Sequence, residues 1–211
     1  MSGKVAAPYA DVIQAAGAIP FDVRDSGVDF ACAGTYKWLM GDFGTAFLYV
    51  KAAARSRLHR VQLGWRGVAR YQSHVLPGDP PGPPTGDWAL EDTTAGIFEV
   101  STPSWGSLAI AVGALGYIQS QGVDAIARHR APLLDRLWSR LANAGYKPLA
   151  PTDAHGPALV FGKPGLRQRY RDVLRAAKIY TTLYPNRIRV SPSAHNDMDD
   201  IDRLADILTK S

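Results

Sequence analysis

Three short apolar runs, residues 6–13, 28–33 and 46–50, are each bounded by glycine or proline, and runs of that kind read as buried strands. Further along, the apolar spacing becomes helical. Residues 105–121 are small and apolar nearly all round, which predicts a helix buried between two domains and able to act as a hinge spine. Val123, Ile126, Ala127, Arg130, Leu133, Leu134, Leu137 and Leu141 recur at helical spacing, with Pro132 expected to bend or break the run and Gly145 following it. Leu166, Tyr170, Val173, Leu174 and Ala177 predict another amphipathic helix, opened by Pro164 and Gly165, and a strand at 187–190 follows. The last helix carries Ile201, Leu204, Ala205 and Leu208 as its apolar stripe. Asp197, Asp199 and Asp200 sit in its first turn, where the helix dipole favours negative charge, so these acids read as structural. Strands mixed with helices make this an α/β chain.

Composition removes several classes. With 211 residues, 46% hydrophobic and 20% charged, the chain can bury a sizeable core as one large domain or two small ones. The formal charge is +5, which suits anionic small molecules. The basic clusters at Arg55–Arg60 and Arg167–Arg171 read as solvated faces, since nucleic-acid binding calls for a concentrated basic stripe. One cysteine, Cys32, excludes an internal disulfide. No segment reaches membrane-spanning length and no signal-like stretch follows Lys4, so the expected location is the cytoplasm. Residues 72–86, with Pro77, Pro80, Pro81, Pro83 and Pro84, oppose helix and central strand. They predict a surface loop, or a lid or dimer-contact loop.

The chemistry gathers at strand ends. Lys37 follows the apolar run at 28–33 and precedes Gly41 and Gly44, the place for a Schiff-base lysine. An amine held there against apolar walls would lose solvation when charged and become nucleophilic near neutrality. Asp11 ends the first run, with Gln14 three residues on. Arg187 and Arg189 alternate with apolar residues and so share one strand face, where one of them could clamp a carboxylate. No Gly-x-Gly-x-x-Gly, phosphate-loop or His-Glu-x-x-His pattern occurs, and His195 with Asp199 lacks a third ligand at credible spacing, so no metal is expected.

Asp11, Gln14, Lys37 and Arg189 in that order, with Ser101-Thr-Pro103 and the closing run Arg189-Val-Ser-Pro-Ser-Ala-His-Asn196, resemble the class V aminotransferase family of fold-type I pyridoxal-phosphate enzymes. That family includes cysteine desulfurases, kynureninase and isopenicillin N epimerase-like proteins. The resemblance implies part of a large cofactor-binding domain at 1–104 and a complete small α/β domain at 105–211, the latter including the linking helix. It implies pyridoxal 5'-phosphate as cofactor. Lys37 would hold the cofactor and move the proton at the substrate α-carbon. Asp11 would bond the pyridine nitrogen and Gln14 the ring hydroxyl. Arg189, with Arg187 as runner-up, would hold the substrate carboxylate. Thr35-Tyr36-Lys37 is similar to kynureninase's Ser-Tyr-Lys, so Tyr36 would bind phosphate unless it is simply a packing aromatic. Thr102 resembles a threonine that reaches phosphate across a dimer interface, and it could also cap the following helix. Trp65 would line the substrate entrance or be an ordinary buried tryptophan.

Members of that family are much longer, and their equivalent of Asp11 lies near mid-chain, so this sequence resembles a C-terminal half. It would be a natural short gene product, one subunit of a split enzyme or a fragment of a longer protein, working as a homodimer or with a separate chain that supplies the phosphate cup and stacking ring. Desulfurases use a cysteine on a mobile loop of the small domain. Cys32 instead lies on the strand before Lys37, where cysteine behaves as a small buried hydrophobe. Transamination, epimerisation, β-elimination or kynureninase-like hydrolysis of an amino acid remain open. The alternative is a non-catalytic or split-enzyme subunit that keeps the fold and needs a partner.

Overall fold

The first apolar run forms a strand over only three residues, because the chain turns immediately after Asp11. In this computed structural model, which describes residues 7–69, 78, 80, 89–151 and 156–210, β1 is Tyr9–Asp11, β2 Phe30–Gly34 and β3 Ala46–Val50. Most of the proline-rich stretch 72–86 lies outside the described residues. β1 runs parallel to β2, with Asp11 opposite Cys32, and β3 pairs antiparallel on the other side of β2. The carboxyl ends of β1 and β2 therefore lie side by side. Ala31 and Ala33 are buried on β2 and pack with Val12, Leu39, Ile118 and Ile126 into a small core.

A second core lies in the C-terminal part. Its sheet has the order β4-β5-β7-β6, all antiparallel, with β4 Lys147–Pro148, β5 Leu159–Gly162, β6 Thr182–Leu183 and β7 Arg187–Val190. Alternation along the strands turns Leu159, Phe161, Ile188 and Val190 inward and leaves Arg187 and Arg189 exposed on the opposite face, as their spacing predicts. Leu137, Leu141, Leu174, Leu204 and Leu208 complete this core from helices α3 (Val123–Asn143), α4 (Leu166–Ala176) and α5 (Met198–Thr209). The hydroxyls of Tyr146 and Tyr170 both donate to the carbonyl of Leu208, at 2.7 and 3.0 Å, tying down the last turn of α5. Burial raises the Tyr146 pKa.

Two helical expectations change. The helix at 105–121 (α2, Trp105–Gln121, after the short α1, Thr94–Phe98) buries only Ser107, Ala111 and Ile118. Trp105, Ile110, Val112, Leu115 and Tyr117 are exposed, so one stripe is covered and the rest of an all-round apolar helix is not. Pro132 does not break α3, which continues to Asn143. Burial of Ile126 and Arg130 before the proline, and of Leu133, Leu137 and Leu141 after it, holds both halves in one helix despite the missing hydrogen bond. The basic cluster at 55–60 is also less solvated than expected. Arg60 donates to the carbonyls of Gly96 and Glu91 at 2.7 and 2.6 Å, and Arg55 pairs with Asp92.

Asp197 caps α5 by accepting from the Asp200 amide at 3.0 Å, a structural role for that acid, and Asp199 and Asp200 lie in the helix's first turn. Replacing Asp197 by alanine is expected to cost about 1 kcal/mol, read as a lower urea midpoint at unchanged slope.

Candidate functional site

Parallel pairing of β1 and β2 brings Asp11 and Lys37 to the same end of the first sheet, where ligands of open α/β sheets bind beyond the strand carboxyl ends. Asp11 is exposed, and its Oδ1 accepts from the Ile13 amide at 3.0 Å, which aims the carboxylate and leaves Oδ2 for a ligand. Gln14 accepts from the Trp38 indole N–H at 3.1 Å through Oε1. That bond fixes which end of the amide is which and leaves the Gln14 NH₂ as a donor.

Lys37 sits in a turn that starts at Thr35. The Met40 amide donates to the Lys37 carbonyl at 3.0 Å and the Gly41 amide to the Thr35 carbonyl at 2.8 Å. Thr35 is buried, and its hydroxyl, bonded to the carbonyls of Asp42 and Thr45 at 2.9 and 3.1 Å, pins the base of the turn. Met40 is held at φ 56°, a left-handed conformation that costs an L-residue about 1–2 kcal/mol. Gly41 has no room for a side chain: a Cβ there would stand 2.7 Å from Thr35 Cβ. Gly41→Ala is therefore expected to destabilise by about 1–3 kcal/mol, measured by urea unfolding, by forcing Thr35 off its two carbonyls.

The apolar walls expected around Lys37 are not supplied by the described residues. Lys37 and Tyr36 are both exposed; the ammonium lies 5.9 Å from the Tyr36 ring centroid, and Tyr36 stacks on Phe43 at 4.9 Å. Cys32 is half-buried rather than fully buried. Its sulfur shares a 2.6 Å hydrogen bond with the Tyr9 hydroxyl, which raises the Tyr9 pKa.

Thr102 is exposed and does not cap α2; Ser104 occupies the cap position, with its hydroxyl bonded to Ser107 at 3.1 Å. Ser107 in turn donates to the Phe43 carbonyl at 3.2 Å, which ties the Thr102 segment to the loop beyond Lys37. Trp65 is 38% exposed in the 3-10 turn Trp65–Gly67. Its ring faces Arg66, which also lies over Trp105, so Trp65 groups with the start of α2. Arg189 donates to Thr182 Oγ1 at 3.0 Å, and Arg187 lies over the Tyr184 ring at 4.2 Å.

Sequence reasoning gave no role to Trp38 or Arg130. Arg130 is 1% exposed and lies over the Trp38 ring at 4.5 Å. Burial lowers its pKa below the ordinary arginine value. The available signal was an arginine standing on the apolar stripe of α3.

The family model for class V aminotransferases matches residues 4–156. The chain belongs to that family. The uncharacterized aminotransferase YcbU of Bacillus subtilis is 26% identical over 198 residues, covering 94% of this chain and 50% of YcbU. The apo cysteine desulfurase of Thermococcus onnurineus superposes with a TM-score of 0.80 at 19% identity, covering 97% of this chain and 52% of the other. A C-DES mutant with glycine covalently linked to its PLP cofactor superposes with a TM-score of 0.70 at 24% identity, covering 93% and 49%. The fold is thus that of the fold-type I class V enzymes. The chain spans about half the length of these relatives. Among the described residues, no helix is long and apolar enough to cross a membrane.

Proposed function

We propose that this chain carries the lysine, aspartate and glutamine side of a pyridoxal-phosphate site that acts on an amino acid. The donor set fits the group: a primary amine, a carboxylate with one oxygen to spare and an oriented amide donor stand at one sheet end. When bound, pyridoxal phosphate supplies an electron sink for negative charge developing at the substrate α-carbon. Lys37 Nζ would hold the cofactor and, once displaced from it by the substrate amine, would be free to take or return the α-carbon proton. Asp11, with one carboxylate oxygen free of the Ile13 amide, would accept from the pyridine N–H and keep that nitrogen protonated. Gln14 Nε2 donates to the ring hydroxyl. The Tyr36 hydroxyl would bind the phosphate, the Thr102 hydroxyl would reach a phosphate across a dimer interface, and Trp65 would border the entrance. Arg189 holds the substrate carboxylate in a bidentate pair, with Arg187 beside it on the same face.

The observation that carries this reading is the side-by-side ending of two parallel strands at Asp11 and just before Lys37. Exposure of Lys37, and of apolar side chains on α2 and at Phe47 and Leu48 of β3, favours further polypeptide covering the site and supplying its walls, with the phosphate cup coming from a segment other than this one. The same exposed faces suit the alternative of a non-catalytic partner subunit. The purified chain, mixed with pyridoxal phosphate, reduced with borohydride and digested, separates the two. Modification concentrated on Lys37 supports the enzyme; modification spread over surface lysines, or absent, supports the partner subunit.

A further inference from the structure

Arg130 leads the fully buried side chains by size among the described residues. Its described hydrogen-bond partners are main-chain carbonyls: Nε donates to Pro192 at 2.7 Å, one terminal nitrogen to Ala18 at 3.1 Å and the other to Pro157. The guanidinium carbon lies over the Trp38 ring, 4.5 Å from its centroid. Three of these contacts fall on the three segments that carry the proposed site. Ala18 closes the turn that Asp11 and Gln14 begin, Trp38 follows Lys37, and Pro192 lies just beyond β7, the strand of Arg187 and Arg189.

We propose that Arg130 is a positioning residue, whose guanidinium holds the Asp11–Ala18 turn, the Lys37 turn and the exit of β7 in fixed mutual register. The inference rests on the reading of the site given above. Only arginine combines a planar fork of donors, able to serve three carbonyls, with a face that stacks on an indole. A leucine or methionine would suit the apolar stripe of α3 without the desolvation cost of a buried cation, but would leave three carbonyls without their donor. The gain from the charge is therefore orientation. The two cofactor-side turns already touch elsewhere: a Cβ on Gly17, which has φ 86°, would lie 2.6 Å from the Trp38 carbonyl oxygen. Arg130 adds the link to β7.

Hydrogen exchange on the full chain without cofactor tests this, because each segment has reporter amides: Ala15, Ala16, Ala18 and Ile19; Met40 and Gly41; Ser193 and Asn196. Arg130→Met is expected to lose protection in all three segments together while β5 and α5 keep theirs. Trp38→Phe, which keeps a ring beneath the guanidinium but removes the indole donor, is expected to loosen the first two segments and leave 193–196 protected. Unchanged protection in Arg130→Met, or an equal loss throughout the molecule, overturns the proposal. Should Arg130→Met fail to fold, Arg130→Lys decides on the same readout, since a lysine serves fewer carbonyls and cannot stack as a plane. Borohydride labelling with pyridoxal phosphate adds a second readout: Arg130→Met is expected to shift modification from Lys37 to other lysines. Wild-type protein unlabelled at Lys37 would sink the cofactor reading, while the exchange pattern would still decide the role of Arg130.

Discussion

Replacing Lys37 by arginine is expected to erase the borohydride-fixed modification and to lower turnover by about 10²- to 10⁴-fold or more, while the urea midpoint stays within about 0.5 kcal/mol of wild type. The charge is kept but the chemistry is lost. A guanidinium remains protonated at any working pH, so it offers neither a free amine nor a base for the α-carbon proton. Stability is spared because Lys37 is exposed and its side chain carries none of the turn, which rests on the main chain of residues 35–41 and on the Thr35 hydroxyl. Lys37→Ala is expected to behave alike. Peptide mass mapping checks the first half of the expectation and urea unfolding the second. Undiminished modification in Lys37→Ala, now on Lys51 or another lysine, would mean that the amine at the strand end is not special.

The separation between the Lys37 side chain and its turn also explains what the sequence could and could not disclose. Alternation placed Arg187 and Arg189 on one exposed face, because a two-residue period leaves no other choice once Ile188 and Val190 go inward. Asp11 and Lys37 were legible as strand-end residues. Their adjacency was not, since it depends on β1 and β2 pairing in parallel across an intervening segment that has no periodic signature. Local burial misled in both directions. The run before Lys37 is apolar, yet the lysine itself faces outward, because solvent exposure is decided by whatever stands opposite and the described residues place nothing there. Helix α2 is apolar all round for the same reason: its composition fits a helix covered on every side, whereas only the stripe through Ser107, Ala111 and Ile118 is covered here. Pro132 was read by its local rule, and packing on both sides outweighed that rule. Arg130 was counted among the apolar stripe by position, and its chemistry became visible only when Ala18, Trp38 and Pro192 converged on it.

The two cores differ in how much they can support. Alanines and single aliphatic side chains make up the core beneath β2, whereas the C-terminal core packs leucines, isoleucines and aromatics between a four-stranded sheet and three helices. Independent stability should therefore reside in the second. Phe161 tests this directly: it is fully buried on β5, opposite Ile188 of β7, with its ring 5.5 Å from that of Trp138 on α3. Phe161→Ala is expected to cost about 3–5 kcal/mol, through lost transfer energy and the cavity left between sheet and helix. Measured by urea, such a change is a large fraction of a small domain's whole stability. Ala33→Gly on β2 should cost only about 1 kcal/mol, since it removes one methyl and adds backbone freedom. If the two substitutions lowered the midpoint equally, the segment carrying Asp11 and Lys37 would be as firmly folded as the C-terminal core. A larger loss at Phe161 fits a C-terminal core that carries most of the stability and is joined to the site turns through α3 and the guanidinium of Arg130.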